Sequence, residues 1–429
     1  MILSTPPPQD CPELTTTDSV LDYLHSRPLD SSSNTIIPFL TPHAIRRITL
    51  GSTNYTYRLF LPPSSTTKSS QTNGATTAIL KYASAYTAGD PRVRFDPARQ
   101  AFEVRAMAEI PWSEIIPAER QDLPQVNIPR VYFTDPARRV IIMEDGTPRM
   151  RRKEREDATG VTMNSGSGES DGDGDDGVWE ERSHSSRIFL EEIPASQEKF
   201  ATANVLGKTL GMFLARMHNW GRDETKDEVG AKQWVREAFG GNTHARDLTI
   251  QEAIEDFWTG VRCCDTDALA ESQEGEVRKC LEGMRERILT DYETLVMGDF
   301  WLGNVLLTFS NTLSTSPSLS PITPNIAQSL PLDTISIIDW EFAMAGPAFL
   351  DVGNFIGEVF LINYFERNDE VYTRLLEAFI AEYEAHTPPE KLNTGMILSY
   401  AGAHIVQALP RRINSPRRIV GEYARTTGP

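Results

Sequence analysis

In the run VMGDFWLGNVLL, Asp299 and Asn304 stand five residues apart on a loop that leads into an apolar strand. In TISIIDWE, Asp339 closes the next apolar strand. If the two strands pair as a hairpin, three oxygen-bearing side chains gather around one point. An Asp at a strand end suits a hard divalent cation such as Mg2+, and Asn adds a neutral oxygen ligand. A carboxylate five residues before that Asn is placed to take the proton of an attacking hydroxyl. Base, amide and metal-binding carboxylate in this order make up the division of labour of phosphoryl transfer. The plainer reading, in which both aspartates only cap turns, is opposed by the two runs occurring together.

Those residues need strands to carry them and a second group of elements to face them. Residues 1–35 are rich in Pro, Ser and Thr around one helical patch, SVLDYLHS, and read as a polar N-terminal extension. Over residues 36–145 the pattern turns β-like in AIRRITLG, YTYRLFLP and TAILKYA. A helix, PARQAFEVRAMAEI, follows, then two more strands, IPRVYFTD and RRVIIMED. Together these make a small α+β lobe. Residues 146–187 form an acidic, Gly/Ser-rich insertion whose composition cannot bury enough apolar area to order itself. Its DGDGDDG string is not an EF-hand, because Asp176 and Arg182 stand where that loop wants Gly and Glu. Residues 188–429 read as a helical lobe, with a helical block from Ile250 to Thr294, a low-complexity insertion at 310–332, and helices again from Asp351.

The 429 residues exceed one small core and suggest two lobes. With 42 Lys and Arg against 60 Asp and Glu, the formal charge is −18. That excludes a general nucleic-acid binder, which needs a basic face, but not a nucleotide site. Cys11, Cys263, Cys264 and Cys280 form no C-x-x-C pair and no zinc spacing. The first residues lack a basic segment followed by an apolar core, and no run nears the roughly 20 apolar residues of a membrane span. The expectation is a cytoplasmic protein with neither nucleic-acid nor membrane partners. The sequence does not set the oligomeric state, which leaves a homodimer open.

The segments 297–304 and 338–354 resemble the aminoglycoside phosphotransferase and choline-kinase-like family, relatives of the protein kinases. DWEFAMAGPAFLDVGNF is especially similar to 5-methylthioribose kinases and to fungal phosphotransferase-like proteins near them. The resemblance covers about residues 40 to 425 without the insertions. It implies an α+β, bilobal protein-kinase-like fold, with a small mainly β N-terminal lobe and a larger mainly helical C-terminal lobe. It also implies ATP and Mg2+ as cofactors. Asp299 would be the catalytic base, and Asn304 and Asp339 the magnesium ligands. In ILKYA, Lys81 matches the lysine that holds the α- and β-phosphates, with Glu103 as its helix partner and Glu109 in reserve. RVIIMEDG resembles the hinge between lobes, where backbone groups near Glu144 would meet adenine. LGKTLGMFLARMHNW is similar to the family's first large-lobe helix, with His218 in a structural role.

Two positions depart from the family. Met297 stands where the family usually has His, two residues before the base. The loop LGSTNYTYRL has the single glycine Gly51 in place of a glycine-rich motif, although Ser52, Thr53 and Asn54 offer N–H groups and hydroxyls to phosphates. For the second substrate, Arg411, Arg412, Arg417 and Arg418 suit a phosphate, a carboxylate or sugar hydroxyls. RRIVG resembles the methylthioribose-kinase tail; a solvated helix face is the plainer alternative. Trp301 and Trp340 flank the proposed centre and would either stack on a sugar or cation or pack in the core. The expected activity is an ATP- and Mg2+-dependent kinase of a small-molecule hydroxyl, such as that of 5-methylthioribose. The alternatives are a kinase of a cationic substrate (choline or an aminoglycoside) and a weak or inactive pseudokinase or scaffold. Met297 and the poor glycine loop favour the pseudokinase; Lys81, Asp299, Asn304 and Asp339 together oppose it. A protein kinase is disfavoured by the lack of an A-P-E segment after DWE.

Overall fold

Alternation along three strands decides how the N-terminal lobe is built. Leu80, Val140 and Ile142 are buried on one face of the sheet, with Tyr57 and Leu59, while their neighbours Ile79, Ile141 and Met143 are buried on the other and join the main core. Successive strand residues point to opposite faces, so apolar residues at consecutive positions mean a sheet covered on both sides. The computed structural model describes residues 13–27, 39–49, 53–62, 76–90, 92–116, 123–146, 190, 197–224, 230–263, 271–309, 332–367 and 370–413. Its sheet is antiparallel and runs β1 (Ala44–Ile48), β2 (Tyr55–Phe60), β3 (Thr77–Tyr82), β6 (Val140–Glu144), β5 (Val131–Asp135).

What covers the first face is α1 (Thr17–His25), a helix started by a capping box between Thr16 and Ser19. Val20, Tyr23 and Leu24 of α1 pack with Leu14, Tyr57 and Leu59, and Tyr23 Oη donates to Asp135 Oδ2 at 2.9 Å. The helical patch expected within a polar extension is therefore part of the lobe's own core. The other face receives α2 (Arg99–Glu109), whose Ala106 and Met107 join the main core. A short α3 (Trp112–Ile115) follows.

Chain passage between lobes runs by two routes. Gly146 lies directly over Leu306, Ser336 and Ile338. Earlier, β4 (Gln125–Asn127) leaves the small lobe and pairs in parallel with β9 (Leu332–Ile337), which pairs antiparallel with β8 (Val305–Phe309). The expected hairpin of two apolar strands is present, and β4 is a third strand that the sequence reading placed nowhere. A further small sheet pairs β7 (Thr294–Val296) with β10 (Met344–Gly346).

The remainder is helical: α4 (Gln197–Gly221), α5 (Ala231–Phe239), α6 (Thr243–Ile250), α7 (Phe257–Cys263), α8 (Glu271–Thr290), α9 (Phe349–Leu361), α10 (Glu370–His386) and α11 (Thr394–Ile413). The block expected to be helical up to Thr294 ends at Thr290, because the apolar Thr294–Val296 run finds a strand partner. A π-helical turn, Gln251–Glu255, interrupts it. Helices α4 and α10 approach closely, since a Cβ on Gly207 or Gly211 would lie 2.3 Å from Leu375 O or Phe379 O. The bilobal α+β architecture expected from the resemblance is the one observed. Among the described residues, no helix is long and apolar enough to cross a membrane. Most of the acidic insertion, and the low-complexity one up to residue 331, lie outside the described residues.

Candidate active site

Lys81 is where the two lobes meet chemically. It stands on β3, 7% exposed, and its Nζ donates to Glu103 Oε1 at 2.5 Å and to Asp339 Oδ1 at 2.7 Å. Burial alone would lower the Lys81 pKa, but the carboxylates of Asp339, Glu103 and Glu341 outweigh it and raise it, so the ammonium is retained. Glu103, also buried, is pushed up to about 7 by burial, with Lys81 opposing and Asp339 and Glu341 adding to the rise. Glu103 rather than Glu109 is the helix partner; Glu109 pairs with Arg105 on its own helix.

Asp339 follows β9 by two residues with φ 71°, a left-handed conformation costing an L-residue about 1 kcal/mol. Strain held at such a position is typical of functional sites. Its Oδ2 makes no hydrogen bond among the described residues.

Asn304, at the end of a 3-10 turn Leu302–Asn304, donates through Nδ2 to Asp299 O at 2.9 Å and to Asp299 Oδ2 at 3.0 Å. This ties Asp299 and Asn304 together in one loop and leaves Asn304 Oδ1 clear of that bond. Burial, with Asp339 next in effect, pushes the Asp299 carboxyl up to about 8, against the Asn304 hydrogen bond; Glu252 and Glu358 add to the rise. Asn304 Oδ1 and Asp339 Oδ2 are the hard oxygen donors that Mg2+ takes, so the residues fit that ion.

The loop itself hangs from α9. Asp351, wholly buried, accepts Met297 N–H through Oδ2 and Gly298 N–H through Oδ1, both at 2.8 Å. Its Oδ2 also meets His218 Nε2 at 3.2 Å, and His218 Nδ1 meets Tyr383 Oη at 2.9 Å. One turn on, Asn354 Nδ2 donates to Phe300 O at 3.3 Å. Gly298 has φ 82°, and a Cβ there would lie 2.5 Å from Phe342 O, so glycine is needed just before Asp299. Met297 is wholly buried in the main core. Its side chain packs, and the loop is fixed through its backbone N–H, which any residue but proline supplies.

The other expected site residues are dispersed. The Asn54 side chain is engaged within the protein: its Oδ1 accepts from Arg99 Nη2 at 2.8 Å and its Nδ2 donates to Glu341 Oε2 at 2.7 Å. Glu144 ends β6, and its N–H, one of the groups expected near adenine, is taken by Arg130 O at 2.8 Å. Trp301 folds over Gly303, whose missing Cβ makes room for the indole. Trp340 is core, fully buried against Trp112 at 4.9 Å. Arg411 bonds Gln407 at 2.7 Å and Arg412 bonds Glu358 at 2.9 Å, on α11. Gly51, Ser52, Arg417 and Arg418 lie outside the described residues.

No family model matches the chain. It is 24% identical over 369 residues to the 4-hydroxytryptamine kinase of Psilocybe cyanescens, covering 86% of this chain and 81% of that protein. With the 4-hydroxytryptamine kinase of Psilocybe cubensis it shares 30% over 204 residues, 48% of each chain. The chain resembles small-molecule kinases. Among solved structures, a choline/ethanolamine kinase family protein from Mesorhizobium loti aligns over 96% of this chain and 95% of its own, with 14% identity and TM-score 0.38. An ADP-bound aminoglycoside phosphotransferase aligns over 93% and 96%, with 13% identity and TM-score 0.35. Superpositions that loose place no residue of this site.

Three contributors escaped the sequence reading. Arg99 and Glu341 pair at 2.8 Å inside the cleft wall, and Asp351 anchors the loop. Arg99 had a signal, standing four before Glu103 on one helix face. Glu341 and Asp351 were inside quoted motifs, but nothing local to them states what they bind.

Proposed function

We propose that this chain is an ATP- and Mg2+-dependent phosphotransferase acting on a hydroxyl of a small amine-bearing molecule. The observation that carries the reading is Lys81 bridging Glu103 and Asp339 across the lobes while Asn304 holds Asp299. Lys81 suits the α- and β-phosphates, and Asn304 and Asp339 suit Mg2+, which supplies charge neutralisation on the phosphates when bound. Asp299 takes the proton of the acceptor hydroxyl. A carboxyl raised towards neutrality is well matched to that task.

The amine is supported by the kinase relatives, both named for 4-hydroxytryptamine, and by acidic side chains around the base. Glu252 and Glu358 are both close enough to act on Asp299, and of the two Glu358 already meets His404 and Arg412. Of the tail arginines that would suit a sugar, Arg411 and Arg412 are engaged with Gln407 and Glu358, while Arg417 and Arg418 of the RRIVG run lie outside the described residues.

Calorimetric titration with ATP, with and without Mg2+, tests the nucleotide site. Binding that needs Mg2+ and is lost in Asp339→Asn is the expected result. A turnover screen with 4-hydroxytryptamine, choline and 5-methylthioribose then ranks acceptors. Asp299→Asn should spare ATP binding and lower kcat by about 10²–10⁴-fold. Full turnover in that variant, or no ATP binding by folded wild type, would overturn the proposal.

A further inference from the structure

Arg99 stands one helical turn before Glu103 on α2, so the two side chains leave the same face. Glu103 reaches Asp339 through Lys81. Arg99 reaches the same loop two residues later: its Nε donates to Glu341 Oε2 at 2.8 Å, with both side chains only 1% exposed. The rest of the guanidinium is also engaged. Nη1 donates to Phe95 O at 3.2 Å and Asp96 O at 2.8 Å, and Nη2 to Asn54 Oδ1 at 2.8 Å and Thr53 O at 3.4 Å. Asn54 Nδ2 closes the triangle on Glu341 Oε2 at 2.7 Å.

Thr53 and Asn54 lie just before β2, in the turn that has one glycine where nucleotide-binding loops are commonly glycine-rich. One arginine thus joins that turn, α2 and the Asp339 loop. The joint is under load. Glu341 Oε1 is buried without a hydrogen-bond partner, and one carboxylate oxygen each of Glu103, Asp339 and Glu341 lies within 4.8 Å of the others. Lys81 offsets much of the repulsion among these carboxylates, but the unpaired acceptor still favours exposing Glu341 to water, and Arg99 with Asn54 restrains it.

The geometry points to Arg99 as a positioning residue for the nucleotide site, acting through Glu341 and Asn54 to lock the turn and the Asp339 loop in one register. A glycine-rich loop follows phosphates by close backbone approach; here a buried polar clamp sets the turn instead. The inference rests on the cleft being an Mg·ATP site, as proposed above.

The test is calorimetric, with ATP as probe and thermal melts alongside. Arg99→Met should weaken the Mg2+-dependent binding of ATP at least tenfold. Because this variant strands the Glu341 carboxylate, Arg99→Met/Glu341→Met removes both charges to recover folding, and should keep the weakened binding at a near wild-type Tm. Asn54→Ala frees the turn but leaves the ion pair, and should weaken binding several-fold. Wild-type affinity in the folded double variant and in Asn54→Ala would overturn the clamp while leaving the Mg·ATP site intact. No Mg2+-dependent binding by wild type would overturn both.

Discussion

The carboxylate of Asp351 accepts the backbone N–H of Gly298 at 2.8 Å, one residue before Asp299. Its other oxygen takes Met297 N–H at the same distance, so a helix in the large lobe carries the shape of the loop that presents the proposed base. Asp351→Ala would leave both donors unpaired. An unsatisfied buried group costs about 1–3 kcal/mol, and a small misplacement of reacting groups costs roughly a hundredfold in rate. Urea unfolding should therefore show lost stability and kcat should fall about a hundredfold, with Asp351→Asn intermediate. Unchanged kcat in a folded alanine variant would mean that the loop keeps its shape without the carboxylate.

His218 gives a pH signature. Burial lowers its pKa from 6.5, with Asp351 opposing and Arg222 nearby adding to the fall, so the folded ring stays neutral at pH values where the unfolded one takes a proton. The associated stability is complete above about pH 6.5 and declines as pH falls towards the lower folded value, at up to about 1.4 kcal/mol per pH unit. Denaturant midpoints between pH 7.5 and 5 should drop less steeply in His218→Gln than in wild type. Parallel curves would contradict the assignment.

Gly298→Ala combines a φ of 82° with a Cβ 2.5 Å from Phe342 O. The left-handed conformation alone costs about 1 kcal/mol for an alanine, and the clash moves the residue next to Asp299. Both Tm and kcat are expected to fall, kcat by more than tenfold. A variant that melts lower but turns over normally would separate the strain from the chemistry.

Gly211→Ala tests packing alone. The added methyl would meet Phe379 O at 2.3 Å, where α4 and α10 touch. Overpacking of this kind costs about 1–3 kcal/mol, and thermal melts should show it while the ATP affinity of the folded fraction stays at the wild-type value.

Much of this was legible in residue order. TAILKYA and RVIIMED read as strands and are β3 and β6, and Asp299 and Asn304 read as two members of one loop; that the loop binds itself through the 3.0 Å bond between them only the structure shows. The partnership of Lys81 with Glu103 followed from family resemblance and is present at 2.5 Å. Asn54 shows the limit. It read as part of a turn offering N–H groups to phosphates, while the partners of its side-chain amide, Glu341 and Arg99, stand 287 and 45 residues away in sequence.

The sequence by itself determined which side chains are offered for the proposed chemistry and most of the local elements that present them, because side-chain type and periodicity of two or 3.6 act over a few residues. Only the tertiary structure decided which carboxylate each cation meets. Lys81 sits 258 residues from Asp339, and Asp351 lies 53 from Gly298. Such pairings depend on how two lobes and α9 dock, and burial there turns ordinary charges into directed, mutually dependent ones. Met297 shows both levels at once: its side chain reads as a departure from the family, while its backbone N–H, common to every residue but proline, is what the fold uses.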